Sequence, residues 1–225
     1  MEYPKIHSLW KRQGWYFDQD KKHSSDYQQG RQSFIIGDYA SPEFGNIKRW
    51  AVDEKIDGMN IRVYFRPSSV KFLEFHGRTD AAQMPPDLQK KLEALFTYEK
   101  LEPIFRDKLP NVVEFFGEGI GPKIQSGGYY AKEAGFVLFD LWIDGWWLER
   151  SAVKDIAARL GIDVVPDLGT MTEEEIVAYV KSQPLSQYAK VQPHVSEGVV
   201  CRPEPLMLYR NGHPIKWKLK CKEFI

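Results

Sequence analysis

The chain has 225 residues, of which 43% are hydrophobic and 28% are charged, with 17 glycines and 14 prolines. This composition excludes collagen-like, low-complexity and disordered chains, and the length predicts a single domain over residues 1–225 and excludes a multidomain machine. Lys and Arg number 31 against 31 Asp and Glu, so the formal net charge is zero. A nucleic-acid ligand would therefore have to be held by a local basic patch.

The sequence also predicts the compartment. Cys201 and Cys221 are the two cysteines, and neither belongs to a CxxC or Cys/His cluster, which favours a reducing compartment and no zinc site. The N-terminus lacks the apolar stretch of a signal peptide, and no run approaches the ~18 apolar residues of a membrane span. We expect a soluble, cytoplasmic monomer with no membrane partner.

Residues 1–33 are polar and irregular, and basic residues are interleaved with aromatic ones. A basic stretch of Lys11 and Arg12, followed by Lys21 and Lys22, is interleaved with Trp10, Trp15, Tyr16 and Phe17. A loop whose aromatic side chains pack on the domain is the favoured interpretation, because aromatic burial contributes so much free energy. The alternative is a lid or an arm that faces nucleic acid.

Residues 50–66 predict a strand, a glycine-containing turn and a second strand. In the second strand Ile61, Val63 and Phe65 alternate with polar or amphipathic neighbours, a period of two. The neighbours are Asn60, Arg62 and Tyr64. One face of this strand is therefore expected in the core and the other is expected to be polar.

Helical patterns follow in three places. Residues 85–105 predict one amphipathic helix that opens on two prolines. Its apolar side chains at helical spacing are Leu88, Leu92, Leu95 and Phe96. Ser151 is expected to cap a second helix that ends at Gly161, and Thr172 with Glu175 forms a capping box for a third.

Further strands are predicted at residues 70–78, 111–121, 135–150, 196–200 and 213–224. Asp144 and Gly145 lie between two apolar aromatic runs, which indicates a hairpin turn. With no internal repeat and no linker, the pattern predicts an α+β fold dominated by antiparallel sheet.

Lys55 stands between a predicted strand and a turn, in the segment EKIDGMN. Asp57 and Gly58 follow it, and a glycine lets the backbone approach a ligand closely. Lys55 is therefore a candidate nucleophile. The K-x-D-G pattern is weak by itself, because a surface turn with these residues is common.

Other residues follow Lys55 in an order that makes the pattern specific. They are Gly77 and Arg78, Glu118 in FFGEGIG, Phe139 in FVLFDLW, Glu197 in SEGVV, and Lys216, Lys218 and Lys220 in IKWKLK. With these residues the sequence resembles the covalent nucleotidyltransferase superfamily of ATP-dependent DNA ligases, RNA ligases and messenger-RNA capping enzymes. Motifs I, Ia, III, IIIa, IV and V of that superfamily occur in the right order over residues 50–222.

Three features resemble the phage-type RNA ligase type two family. Asn60 stands five residues after the lysine, where DNA ligases typically have arginine, and Phe224 follows the ending Lys218-Leu219-Lys220. The opening YPKI before a basic and aromatic stretch is the third. The resemblance implies an antiparallel-sheet-rich nucleotidyltransferase fold with flanking helices. It also implies an ATP-dependent RNA ligase that uses Mg²⁺, for which Mn²⁺ can substitute.

The resemblance implies that the enzyme joins an RNA 5′-phosphate to a 3′-hydroxyl through a lysyl-AMP and an adenylylated RNA end. Lys55 would carry the AMP, Asp57 would orient Lys55 or a metal-bound water, and Glu197 would help hold the metal directly or through water. The expected nucleotide contacts are Glu118 and Asn60 to ribose, Phe139 to adenine, Arg78, Lys218, Lys220 and Lys216 to phosphate, and Glu54 to the adenine edge.

Structural explanations exist for several of these residues. Phe139 could be an ordinary core residue, and the three lysines could decorate an edge strand, where they discourage aggregation. Phe139 and Asp140 are neighbours, and neighbours in a regular strand point to opposite faces. We therefore expect only one of the two to face a nucleotide, with Asp140 as a supporting residue or an anchor of the strand end.

The chemistry explains why basic residues are needed beside the nucleophile. A free lysine has a pKa of about 10.4, so only about one in a thousand is neutral at pH 7.4. A triphosphate favours the ammonium form further. Lowering the pKa from about 10.4 to about 7.4 requires about 4 kcal/mol, which demands more than one compensating positive charge, from Mg²⁺ and from the lysines near the C-terminus.

Three alternatives remain on the sequence alone. A DNA ligase and a capping guanylyltransferase share the lysine chemistry, but the expectation that no C-terminal oligonucleotide-binding domain follows Lys220 argues against both. A catalytically silent RNA-binding module would keep the fold without the activity. The motifs report on ATP, so nicked duplex RNA, an RNA–DNA hybrid and single-stranded ends are all open as the substrate.

Overall fold

The computed structural model describes residues 2–12, 34–67, 72–106 and 110–224. The strands are β1 (His7–Ser8), β2 (Trp10–Arg12), β3 (Phe34–Tyr39), β4 (Trp50–Lys55), β5 (Met59–Arg66), β6 (Phe72–His76), β7 (Val113–Ile120), β8 (Gly135–Ile143), β9 (Trp146–Trp147), β10 (Asp163–Val164), β11 (Asp167–Met171), β12 (Gly198–Arg202) and β13 (Trp217–Lys220). The helices are α1 (Pro86–Leu95), α2 (Tyr98–Phe105), α3 (Gly127–Tyr130), α4 (Arg150–Leu160) and α5 (Glu173–Lys181), with short 3₁₀ helices at Pro42–Asn46 and Cys221–Phe224.

The predicted α+β class with antiparallel sheet is confirmed. Most pairs among the described strands are antiparallel, whereas β1 with β13 and β10 with β8 are short parallel pairs. The predicted hairpin is formed by β8 and β9, and both turn residues have positive φ, 44° at Asp144 and 99° at Gly145. Asp and Gly suit this turn because they tolerate the left-handed backbone better than other residues.

Two helix predictions need correction. The helix predicted over residues 85–105 is two helices, because the backbone is extended at Phe96 and Thr97 caps α2 by accepting a hydrogen bond from the backbone N–H of Lys100. Ser151 lies inside the first turn of α4, and Glu149 occupies the N-cap position. The end of α4 at Gly161 (φ 66°) and the capping box at the start of α5 are confirmed.

The chain forms two compact units, and the single-domain prediction stays a prediction. Unit 1 consists of residues 1–4, 55–166 and 185–194. Its described strands form a sheet in the order β10-β8-β7-β5-β6, with β9 paired to β8. The predicted core face of β5 is confirmed, because Ile61, Val63 and Phe65 are fully buried together with apolar side chains of α1, α2 and α4.

Unit 2 consists of residues 5–54, 167–184 and 195–225. Its described strands form a sheet in the order β1-β13-β12-β4-β11 and a two-stranded ribbon of β2 and β3. Trp50 and Trp217 are fully buried in its core, 5.2 Å apart between ring centroids. Trp10 is buried in the same core, as the packing interpretation of the N-terminal segment predicts. Trp15, Tyr16, Phe17, Lys21 and Lys22 lie outside the described residues.

A buried ion pair joins two strands of unit 2. Arg202, the last residue of β12, donates a hydrogen bond to Asp53 Oδ2 of β4 at 2.7 Å, and the two side chains are 9% and 6% exposed. Removing one member of a buried pair leaves the other charged group without adequate compensation. The pair is therefore expected to be important for the stability of this sheet.

We expect the Arg202→Ala substitution to lower the free energy of unfolding by about 3–5 kcal/mol. The matched control is Lys11→Ala, which removes an ion pair with Asp38 whose side chains are 57% and 44% exposed and should cost less than about 1 kcal/mol. Urea unfolding of both variants measures the difference. Equal losses would show that burial does not control the strength of the Arg202 pair.

Among the described residues, no helix is both long enough and apolar enough to cross a membrane.

Candidate active site

Lys55 is the last residue of β4 and is half-buried. Three residues separate it from β5, and the last of them, Gly58, donates a backbone hydrogen bond to Glu118 Oε1 of β7 at 3.2 Å. A Cβ atom at Gly58 would lie 2.3 Å from the carbonyl oxygen of Gly119. Glycine is therefore required here because the turn after Lys55 lies directly against β7, whereas the predicted close approach of Gly58 to a ligand stays a prediction.

Asn60 and Glu118 face each other as a cross-strand pair of β5 and β7. The Oδ1 atom of Asn60 is buried and has no hydrogen-bond partner among the described residues. A buried acceptor of this kind is costly unless something donates to it. The pair therefore offers oxygen acceptors side by side, which suits a ligand with adjacent hydroxyl groups.

Asp57 is held by two residues that the sequence analysis did not identify. The hydroxyl of Ser126 donates to Asp57 Oδ2 at 2.6 Å, and the backbone N–H of Asp57 donates to the hydroxyl oxygen of Tyr130 at 3.2 Å. Tyr130 is fully buried in a cluster that also contains Ile56. No periodicity or motif marks Ser126 or Tyr130, because they reach Asp57 only through the tertiary fold.

The predicted geometry at Phe139 is wrong. The pairing of β7 with β8 shifts between Phe116–Asp140 and Gly117–Leu138, so Phe139 is the extra residue of a β-bulge. Leu138 and Leu141 both lie in the core of unit 1, which leaves Phe139 and Asp140 together on the opposite side. The expected alternation failed because it holds only for a regular strand.

Tyr3 contacts both residues of this bulge. Its ring centroid lies 5.1 Å from that of Phe139, and its hydroxyl donates to Asp140 Oδ2. Phe139 is half-buried and also packs against the cluster that contains Ile56 and Tyr130. Phe139 thus packs against Tyr3 and against this cluster, and Asp140 anchors Tyr3.

Arg78 is exposed and lies in the loop after β6. Arg62 of β5 fixes this loop, because its Nε donates to the Gly77 carbonyl at 2.9 Å and its guanidinium pairs with Asp80 at 2.6 Å. The same guanidinium lowers the pKa of Asp80. Arg62 lies on the predicted polar face of β5 but is buried. The polar face of β5 is therefore covered in part by the loop after β6 and is not simply exposed to solvent.

Alternation in the last strand predicts Lys216, Lys218 and Lys220 on one face, and β13 confirms this for Lys218 and Lys220 but not for Lys216. Trp217 and Leu219 are fully buried in the core of unit 2, whereas Lys218 and Lys220 are half-buried on the other face. Lys216 precedes the strand and is buried. The alternation therefore gives Lys218 and Lys220 a common face and leaves Lys216 in a different environment.

Glu197 and Lys220 form an ion pair, with 2.6 Å between Glu197 Oε1 and Lys220 Nζ. Gly198 makes this contact possible, because it has φ 150° and a Cβ atom there would lie 2.0 Å from the carbonyl oxygen of Leu219. The backbone carbonyl of Glu197 accepts a hydrogen bond from the N–H of Cys221 at 2.9 Å. The S-E-G segment is thus pressed against the end of β13.

Glu54 is buried, and its charge contributes to a raised pKa at Tyr179 and Cys221. Burial is the largest cause for Cys221, whose pKa rises to about 11, and Glu197 adds to the effect of Glu54. Cys221 is therefore a neutral thiol near pH 7 and is unsuited to act as a nucleophile.

Two candidate carboxylates, Asp57 and Glu197, are of the type that a largely hydrated divalent cation binds. Within the described residues no group of three His, Cys, Asp or Glu side chains could hold a metal ion. Mg²⁺ commonly binds through one or two carboxylates, with waters and substrate phosphates completing the shell. Asp57 and Glu197 remain the candidate ligands by residue type.

The described contacts unite the candidates within each unit. In unit 1 the turn that follows Lys55 contains Asp57 and contacts Glu118, which pairs with Asn60. In unit 2 Glu197 contacts Lys220. The other candidates belong to the same two units: Arg78 and Phe139 to unit 1, and Glu54, Lys216 and Lys218 to unit 2.

A family model described as RNA ligase matches residues 48–218, which are 171 of the 225 residues. The chain therefore belongs to the RNA ligase family. No curated protein sequence matches the chain significantly.

Solved structures of a Naegleria gruberi RNA ligase have a similar fold. The ligase with PPi aligns with a TM-score of 0.55 and 20% identity over 77% of this chain and 49% of that chain. A variant with ATP and Mn gives 0.54 and 19% over 77% and 49%, and another with AMP and Mn gives 0.57 and 19% over 79% and 51%. The chain spans about half the length of the ligase chains that it matches.

Proposed function

We propose that this protein is an ATP-dependent RNA ligase with a nucleotidyltransferase fold, of the phage-type RNA ligase type two kind, and that Lys55 is its nucleophile. The observation that carries the proposal is the arrangement around the turn after Lys55, where Glu118 accepts from Gly58 and faces Asn60. Membership of the RNA ligase family and the ATP, AMP and PPi complexes of the Naegleria ligase support it.

The reaction proceeds in three steps. The neutral amine of Lys55 attacks the α-phosphorus of ATP, a P–N bond forms, the nitrogen loses a proton to solvent, and the bond to pyrophosphate breaks. The RNA 5′-phosphate then displaces lysine from the AMP, and the amine regains its proton. Finally the RNA 3′-hydroxyl attacks the activated 5′-phosphate, loses its proton, and releases AMP as the new phosphodiester forms.

The other residues bind and orient the nucleotide. Glu118 and the buried Oδ1 of Asn60 accept from the ribose hydroxyls, and Phe139 stacks on adenine, a contact worth about 1–3 kcal/mol per base. The phosphate contacts are assigned to Arg78, Lys216, Lys218 and Lys220. These cations stabilise the charge that develops at phosphorus and favour a neutral Lys55.

Asp57 and Glu197 are each proposed as candidate ligands of a divalent cation, directly or through water, and the cation would neutralise phosphate charge. Mg²⁺ is the proposed ion, and the manganese in the Naegleria complexes supports the use of Mn²⁺ as a substitute. The proposed partner is RNA with a 5′-phosphate and a 3′-hydroxyl, in a duplex nick, a hybrid or single strands. Glu54 is assigned to the adenine edge.

The first step has a direct test. Incubation of the protein with α-labelled ATP and Mg²⁺ should give a protein label that withstands alkali and is released by hot acid, as expected of a phosphoramidate, and EDTA should abolish it. The label should transfer to 5′-phosphorylated RNA but not to 5′-hydroxyl RNA. A label from GTP but not from ATP would instead indicate a capping enzyme, and no label from either nucleotide would indicate a silent binding module.

The substrate shape is tested with a panel of 5′-phosphorylated substrates: nicked duplex RNA, nicked RNA–DNA hybrid, nicked duplex DNA and two single-stranded RNA ends. Ligation of an RNA substrate is expected. Ligation of the DNA nick alone would assign the protein to the DNA ligases and contradict the proposal.

A further inference from the structure

The three residues between β4 and β5 are all fixed by contacts. Ile56 is buried in the cluster that contains Tyr130, Asp57 receives a hydrogen bond from Ser126 and donates one to Tyr130, and Gly58 donates to Glu118. A turn held at every residue cannot move without breaking several of these interactions. The position of the residue that precedes it, Lys55, is thereby restrained.

Ser126 and Tyr130 belong to a segment whose backbone is strained. Lys123 and Gln125 have φ values of 73° and 45°, which cost about 1–3 kcal/mol each for residues with a side chain. The segment is also tightly closed, because a Cβ atom at Gly127 would lie 2.5 Å from the backbone nitrogen of Gly121. Such strain persists only where the surrounding structure determines it.

The two contacts on Asp57 have different consequences. The hydroxyl of Ser126 can only donate to a carboxylate, so it fixes one oxygen of Asp57 and with it the plane of the group. Tyr130 accepts from the backbone N–H of Asp57, and its ring is fully buried. Ser126 therefore sets the direction of the carboxylate, and Tyr130 sets the position of the backbone that carries it.

We infer that Ser126 and Tyr130 are positioning residues for the formation of the lysyl-AMP, and that they act by fixing Asp57 two residues after the nucleophile. This inference rests on the proposed function. Displacement of a reacting group by about 1 Å can cost about 100-fold in rate. The effect should therefore appear in the rate of the covalent step and not in the binding of ATP.

The experiment measures the single-turnover rate of labelling from α-labelled ATP across a range of ATP concentrations. Ser126→Ala should lower the maximal rate about 10- to 100-fold, with little change in the half-saturating ATP concentration. Ser126→Thr, which keeps the hydroxyl, should restore most of the rate. Tyr130→Phe, which removes only a hydroxyl, should lower the maximal rate in the same way.

The matched control is Ser151→Ala, which removes an exposed hydroxyl in the first turn of α4 and should label at the wild-type rate. Wild-type rates in both Ser126→Ala and Tyr130→Phe would overturn the inference. Equal loss in Ser126→Ala and Ser126→Thr would also overturn it, as would a change confined to the half-saturating ATP concentration. Absence of label in the wild-type protein would overturn the proposed function itself, so the two failures are distinguishable.

Discussion

The Lys55→Ala protein should lose the covalent label from α-labelled ATP by at least about 10³-fold, because nucleophile removal eliminates the only group that can carry the AMP in the proposed mechanism. The side chain of Lys55 is half-buried at the end of β4, so its loss should leave the fold intact. Alkali-resistant labelling followed by gel separation measures the first effect, and thermal unfolding measures the second.

Lys48→Ala is the matched control for this prediction. Lys48 is exposed in the loop before β4 and has no assigned contact with the nucleotide, so its variant should label within about twofold of the wild type. A label that survives in Lys55→Ala would transfer the role of nucleophile to another lysine. Loss of label in both variants would point to a general effect of charge.

Gly198→Ala should be the most destabilising of the glycine substitutions near the candidate site residues of unit 2. The new Cβ atom would lie 2.0 Å from the Leu219 carbonyl oxygen, and the backbone has φ 150°. Overpacking and an unfavourable φ cost about 1–3 kcal/mol each, so we expect a loss of about 2–6 kcal/mol. The strand pairing that supports the contact between Glu197 and Lys220 should be disturbed as well.

Gly212→Ala separates the two causes. Gly212 also has a positive φ, 79°, but among the described residues no heavy atom beyond its own chain neighbours lies within 4 Å of the position of its Cβ. This control should cost about 1–2 kcal/mol, from backbone strain alone. Denaturant unfolding of both variants gives the difference, and equal losses would show that the close approach of Leu219 contributes nothing.

Local patterns in the sequence predicted most of the regular structure. The alternation of Ile61, Val63 and Phe65 and the Asp144-Gly145 turn report on the nearest neighbours along the chain, and both were confirmed. The prediction over residues 85–105 failed because apolar spacing continued through Phe96 while the backbone became extended there. Helical periodicity alone does not locate such a break; Thr97, which caps the next helix, was the available signal.

The candidate site was predictable where a residue type and its spacing carry the chemistry. Lys55, Glu118 and Glu197 were found in this way, and their roles stay predictions. Ser126 and Tyr130 could not be found, because their contacts with Asp57 span 69 and 73 positions of the sequence. Gly58 was identified as a site of close backbone approach, but the sequence did not show that the backbone it approaches is that of Gly119.

Because Phe139 is the bulge residue of β8, the pairing of β8 with β7 does not depend on it. Leu138 pairs with Gly117, and Asp140 pairs with Phe116. The two sequence neighbours of Phe139 therefore already pair with consecutive residues of β7. A chain shortened by that single residue would keep the same register and would still direct Leu138 and Leu141 inward. Phe139, the residue whose ring is assigned to adenine, is therefore an inserted residue that the strand pairing does not require. The residue type at this position is constrained by the contacts of its side chain and not by strand pairing.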